Sequence, residues 1–163
     1  MKGGFRETIL YVIVGIALAW GINQGMAYAL TTDMPVVAVE SNSMVPVFYQ
    51  GDILVLMGSK LPQYAVGDVI VYSVEGRSVP IVHRIIKINA DGSYQTKGDA
   101  NSGQLSFEHY VDPLRVHGKM IAIIPYLGWV KISIMQYLLP NIMLVLAVFA
   151  AAALVYYGKR RWA

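Results

Sequence analysis

Cysteine is absent from this chain. No disulfide can staple it, and no thiolate can hold a metal ion. Histidine is scarce, with three in 163 residues, and no HExxH pattern joins any of them. A metal-dependent hydrolase is therefore disfavoured, and no cofactor is expected. Charge is scarce too: Asp, Glu, Lys and Arg make up 14% of the chain, where a soluble domain carries about 25%. The middle of the chain has no Lys/Arg cluster, so the net charge of +3 does not point to nucleic acid.

The missing charge is missing from two places. Residues 8–32 and 132–158 contain none. Each run exceeds the roughly 20 residues that a helix needs to cross the hydrocarbon core. Lys2 and Arg6 precede the first run, and Lys159-Arg160-Arg161 follow the second. Basic flanks stay cytoplasmic. Both termini are expected there, with the segment between the runs outside. The first run holds Gly15, Gly21 and Gly25, as membrane helices often do. Ala27-Tyr28-Ala29 has the small-x-small form of a leader cleavage site, but the run before it is longer than a leader's 7–15 residue core. An uncleaved anchor is expected. In the second run, Pro140-Asn141 should start or kink a helix. The expected organisation is a cytoplasmic tip and anchor over 1–32, a β domain over 33–131, a second membrane helix over 132–158 and a basic tail over 159–163.

The middle reads as β. Short β-branched or apolar runs cover 36–39, 52–56, 69–73, 80–88, 94–97 and 120–124. Gly51, Gly67-Asp68 and Pro125 punctuate them, and Asp91-Gly92 is a two-residue hairpin signal. A small antiparallel barrel or folded sheet is expected, flanked by an N-terminal and a C-terminal transmembrane helix.

Ser41-Asn42-Ser43-Met44-Val45-Pro46 ends the first of these runs, ahead of Gly51-Asp52. A serine in a tight turn at a strand end exposes its hydroxyl near backbone N–H groups. Most such segments are plain turns, because Ser and Asn bond their own backbone. A serine nucleophile also needs a base, and histidine is the usual one. His83 lies in a strand-like segment, where a lone histidine is more often structural. His109 and His117 sit in a loop-like stretch and in a turn before Gly118. A carboxylate normally orients the imidazole. Asp99 follows Gly98 at a strand end, from which a loop could turn it toward His83, although Gly-Asp is also an ordinary turn pair.

In this order the motifs resemble the type I signal peptidases, in the branch of archaea, the endoplasmic reticulum and some spore-forming bacteria. Ser41 to Pro46 with Gly51-Asp52 resembles the nucleophile box. Gly67-Asp68-Val69-Ile70-Val71-Tyr72 resembles the next strand. His83-Arg84-Ile85 resembles the box where this branch carries histidine and the bacterial branch lysine. Thr96-Lys97-Gly98-Asp99-Ala100-Asn101 resembles the aspartate box. The likeness covers roughly residues 36–130. It implies a membrane-bound serine endopeptidase that removes signal peptides from secretory preproteins. Ser43 is then the nucleophile and His83 the base, with the Ser43 N–H and Ser41 facing the oxyanion. Its partners would be signal peptides, the bilayer of the cell or endoplasmic reticulum, and the secretion translocon. Many relatives carry a second aspartate where this chain has Leu105. Asp99 is then the leading orienting carboxylate, with Asp112 and Glu108 behind it. Asn42 replaces a glycine common between the two serines, and Asn tolerates left-handed turns.

A peptide substrate can add to an exposed strand edge. The stretch leading into Ser41 is such an edge, so Val37, Val39, Glu40 and Met44 are candidate substrate contacts. Two other readings compete. One is a membrane-tethered β module without catalysis, in which Ser43 and His83 never meet. The other is a serine–lysine self-cleaving repressor fold, disfavoured by His83 and the two anchors.

Overall fold

The computed structural model describes residues 4–59 and 63–161, with side chains as far as residue 152. Lys2, and the side chains of Lys159-Arg160-Arg161, lie outside the described residues. The chain opens with helix α1 (Phe5–Ala29). Strands β1 (Val36–Ala38), β2 (Ile53–Met57), β3 (Val69–Tyr72), β4 (Ile81–Ile88), β5 (Tyr94–Lys97) and β6 (Val116–Ile124) follow. Short 3₁₀ turns, Ser106–Glu108 and Pro113–Arg115, join β5 to β6. The chain closes with α2 (Gly128–Ser133), a π turn (Ile134–Leu138) and α3 (Ile142–Arg161).

The strands form one sheet in the order β1-β2-β6-β3-β4-β5, every neighbour antiparallel. The sheet is not a closed barrel: β1 and β5 are its edges. All four residues of β3 are buried. Successive strand side chains point to opposite faces, so β3 has core on both sides. Val69 and Val71 join Met44, Phe48, Leu54 and Leu56. Ile70 and Tyr72 join Ile85, Tyr94 and Val111.

The Asp91-Gly92 signal does link β4 to β5. Asn89 and Ser93 bond across the turn (N···O 2.8 Å), and Gly92 takes φ +84°. β6 starts earlier than its apolar run indicates, so His117 lies in a strand and not in a turn. Gly118 masks this. It is a strand glycine, because a Cβ there would stand 2.8 Å from the Met57 carbonyl oxygen on β2.

The second apolar run is not one continuous helix. It breaks at residues 139–141, and its two halves meet at 80°. Pro140 cannot donate to the helical ladder. The first half is also tied to the β domain: Gly128 N–H donates to Gly51 O at 2.8 Å, and Ile132 is buried. Among the described residues, α1 alone is long and apolar enough to cross a bilayer unaided. The C-terminal helices meet that test only as a bent pair.

Candidate active site

Ser43 stands on the loop between β1 and β2, and that loop is tightly held. Met44, within its turn, and Phe48, just past it, are buried. Asp52, itself buried, accepts from Tyr49 N–H (2.8 Å) and Tyr126 N–H (3.1 Å). Asn42 accepts from Gln50 N–H at 2.8 Å. Asn42 is not left-handed, so its place here rests on its side-chain carbonyl and not on turn tolerance. Below the loop, Ala100 N–H donates to Ser43 O at 2.9 Å.

His83 projects from β4 on the face it shares with its cross-strand partner Ile70. It is buried, 4% exposed, and its Nε2 lies 3.0 Å from Ser43 Oγ. Its Nδ1 meets Glu108 Oε1 in a short contact. Glu108 is wholly buried. Its second oxygen accepts from Leu105 N–H at 2.6 Å. Its first also lies 3.5 Å from Thr96 Oγ1, which bonds the Tyr72 hydroxyl at 2.8 Å. Burial pushes the Tyr72 phenol well above its ordinary range, with the Thr96 hydrogen bond pulling the other way. A neutral phenol can donate into this line. With Glu108 as a carboxylate, the imidazole carries its proton on Nδ1 and turns the Nε2 lone pair to the serine hydroxyl.

A cleft of about 770 Å³ opens in front of the pair. Val37, Val39, Glu40, Ser41 and Leu105 are among the residues that line it. Ser41 Oγ is 3.3 Å from Ser43 Oγ, and among the described residues no group accepts from the Ser43 N–H. That N–H is thus available to a new negative charge. Met44 does not line the cleft. It is wholly buried, with its sulfur 3.4 Å from Asp99 N, so it supports the loop from within.

The sequence of this chain has counterparts among known proteins. Over 145 residues the chain is 34% identical to the signal peptidase complex catalytic subunit SEC11C of Homo sapiens, covering 81% of this chain and 76% of that protein. The Canis lupus familiaris SEC11C matches equally. The SEC11 catalytic subunit of Pyricularia oryzae is 32% identical over 131 residues, 75% of this chain and 76% of its own. This chain belongs to that family, the endoplasmic-reticulum type of type I signal peptidase. No family profile matches it.

One expectation drawn from the family resemblance is not met: Asp99 does not face His83. Arg84 Nε donates to Asp99 Oδ1 at 2.9 Å and Arg84 Nη2 to Oδ2 at 2.6 Å. The same guanidinium donates to Gly67 O at 2.7 Å. The Asp99 hydrogen bond holds the Arg84 guanidinium above its ordinary range. The physical reason is strand alternation. Residues 83 and 84 are consecutive on β4 and point to opposite faces, so a carboxylate that serves Arg84 is turned from His83. Asp112 is also elsewhere, capping a 3₁₀ turn through Leu114 N–H at 2.8 Å. His109 is exposed, and His117 belongs to a separate cluster.

Glu108 therefore takes the place next to the imidazole. The family's second aspartate position is Leu105, which precedes Glu108 by one 3₁₀ turn. Residues i and i+3 of such a turn eclipse one another, so a carboxylate three residues later returns to the same side. Leu105 still contributes: its backbone N–H holds the carboxylate, and its side chain lines the cleft.

Gly98 is a site residue that the sequence reading passed over. A Cβ there would stand 2.7 Å from Ser43 O and 2.8 Å from His83 Nε2. No side chain fits without separating the pair. Gly98→Ala should lower kcat by about a hundredfold, the scale that an ångström of misplacement costs, while the chain stays folded. Circular dichroism and a peptide assay on the same preparation check both halves.

Proposed function

We propose that the chain is a membrane-bound serine endopeptidase that cleaves signal peptides from preproteins at the outer membrane surface. One observation carries the reading: Ser43 Oγ lies 3.0 Å from a buried imidazole whose other nitrogen meets a buried carboxylate. Ser43 attacks the scissile carbonyl while His83 Nε2 takes its proton. Glu108 holds the tautomer and stabilises the imidazolium that forms. The Ser43 N–H and the Ser41 hydroxyl face the developing oxyanion. His83 then returns the proton to the leaving amine. The substrate lies extended along the free edge of β1, beside Val37, Val39 and Glu40. Its small side chains, at the first and third positions before the cut, enter the cleft.

The names of the relatives support a peptidase that acts within a complex, so further subunits and the translocon are the expected neighbours. The site lies outside the cytoplasm, over residues 33–131. The tip and anchor over 1–32 enter from the cytoplasm, a return crossing lies within 132–158, and the tail over 159–163 is cytoplasmic.

Reconstitution tests this. The full chain in proteoliposomes should cut a reporter preprotein at one bond, after a small residue. A bulky residue placed before that bond should stop the cut. Protease added to right-side-out vesicles should reach the β domain and spare the tail. An intact preprotein would overturn the peptidase, and a protected β domain would overturn the topology.

A further inference from the structure

A Ser–His–Asp cluster lies outside the active site. His117 on β6 places Nε2 2.7 Å from Ser73 Oγ and Nδ1 2.9 Å from Asp33 Oδ1. It is not a second hydrolase centre. Ser73 donates its own N–H to Arg115 O at 3.0 Å, so that N–H cannot receive an oxyanion. The Asp33 side chain is 67% exposed, unlike the buried Glu108.

The cluster stands where the anchor helix meets the sheet. Just past the end of α1, Leu30 O accepts from Gly58 N–H at 2.9 Å. Thr31 takes φ +54°, a left-handed conformation that a threonine rarely adopts unless its surroundings hold it. A Cβ on Gly58 would overlap the Thr31 carbonyl, so glycine there lets the turn seat against β2. Thr32 is buried, and its hydroxyl donates to His117 O at 2.7 Å. Leu56 N–H on β2 donates to Pro35 O at 3.0 Å. Leu30, Thr32, Asp33 and Pro35 are thus each bonded to β2, β6 or the residue just past β2, and His117 holds Thr32 through its carbonyl and Asp33 through Nδ1 while its Nε2 meets Ser73 beyond β3.

We propose that His117, with Thr32, Asp33 and Ser73, forms a rigid joint between anchor and sheet that fixes which bond of a membrane-inserted precursor is cut. The cutting step rests on the peptidase reading above. Residues 30–35, were they free, would reach about 20 Å. One residue of an extended substrate spans only about 3.4 Å. A loose connection would therefore let Ser43 sweep over several bonds of a precursor whose own apolar helix is held in the bilayer. A substrate free in solution needs no such reference height.

The absence of cysteine makes the test direct. Spin labels at Asn23→Cys on α1 and Ala90→Cys in the β4–β5 turn, both exposed, report the joint without any activity. In proteoliposomes the otherwise unaltered chain should give a narrow distance distribution. His117→Ala, Asp33→Ala and Thr32→Val should broaden it. Without labels, the same variants should cut a short peptide in detergent at the unaltered chain's rate. Correct cutting of a membrane-inserted precursor should fall about tenfold, within the hundredfold that an ångström of misplacement costs, with new products starting at neighbouring residues. Mass spectrometry of product N-termini reads this. Asp33 is exposed, so Asp33→Ala keeps the test valid should His117→Ala unfold. A narrow distribution and a single cut in the variants would overturn the joint. So would equal loss on peptide and precursor, which would make the cluster a prop for the catalytic site. Were the unaltered chain inactive, the peptidase reading would fall, and the label distances alone would decide the joint.

Discussion

Ser43→Ala should abolish preprotein cleavage, lowering kcat by about 10⁶, the scale set by loss of the nucleophile in a serine protease. Fold and membrane insertion should be unchanged. Ser43 is half-buried, and among the described residues its side-chain oxygen has His83 and Ser41 as hydrogen-bond partners. Removing the hydroxyl leaves the Asn42, Asp52 and Ala100 hydrogen bonds of the loop in place. His83→Ala should cost a similar factor, and the double variant little more than either alone, because the two act as one unit. Single-turnover assays on one reporter preprotein compare all three. Cleavage by Ser43→Ala near the unaltered rate would remove the covalent mechanism. Additive losses in the double variant would show that the pair does not act together.

Glu108→Gln should be the next most damaging change, at about 10⁴ in kcat, the loss seen when an orienting carboxylate becomes an amide. The amide can present its NH₂ to Nδ1, which then becomes an acceptor and moves the imidazole proton to Nε2. That proton would point at Ser43 and block its activation. Asp99→Asn should cost far less, since the Arg84 pair touches neither nitrogen of His83. Its effect should be a loss of thermal stability, because the Gly98–Asp99 turn braces Ser43. Asp112→Ala should leave kcat unchanged. Activities and melting temperatures of the three variants separate the roles. A larger kcat loss in Asp99→Asn than in Glu108→Gln would return the orienting role to Asp99.

The strands were legible because their punctuation is chemical: Gly67-Asp68, Asp91-Gly92 and Pro125 mark ends that turn geometry demands. The proximity of Ser43 and His83 rested on family boxes, since periodicity does not say which strand meets which loop. Glu108 was visible only as a fallback. It reaches His83 across 25 residues through a 3₁₀ turn that carries no periodic signal. The misplacement of Asp99 was avoidable in principle, because Arg84 beside His83 on a strand already offered a partner on the opposite face. The start of β6 hid behind Gly118, whose reason for being glycine lies on another strand. The bend at Pro140 was readable as a kink. What hydropathy could not show is that the residues before it pack on Gly51.

The burial of β3 on both faces has a kinetic consequence. A strand held centrally between two cores can be exposed only when the whole domain opens, because no local fluctuation frees one side without breaking the other. Its amides belong with the slowest-exchanging hydrogens of the chain. His83 is paired to Ile70 in the middle of that strand. The proposed base therefore sits on the part of the molecule that opens last, while Ser43 comes from a loop beside an open sheet edge. Heating or denaturant should thus detach the serine side of the pair before the histidine side, and activity should fade ahead of the global unfolding transition.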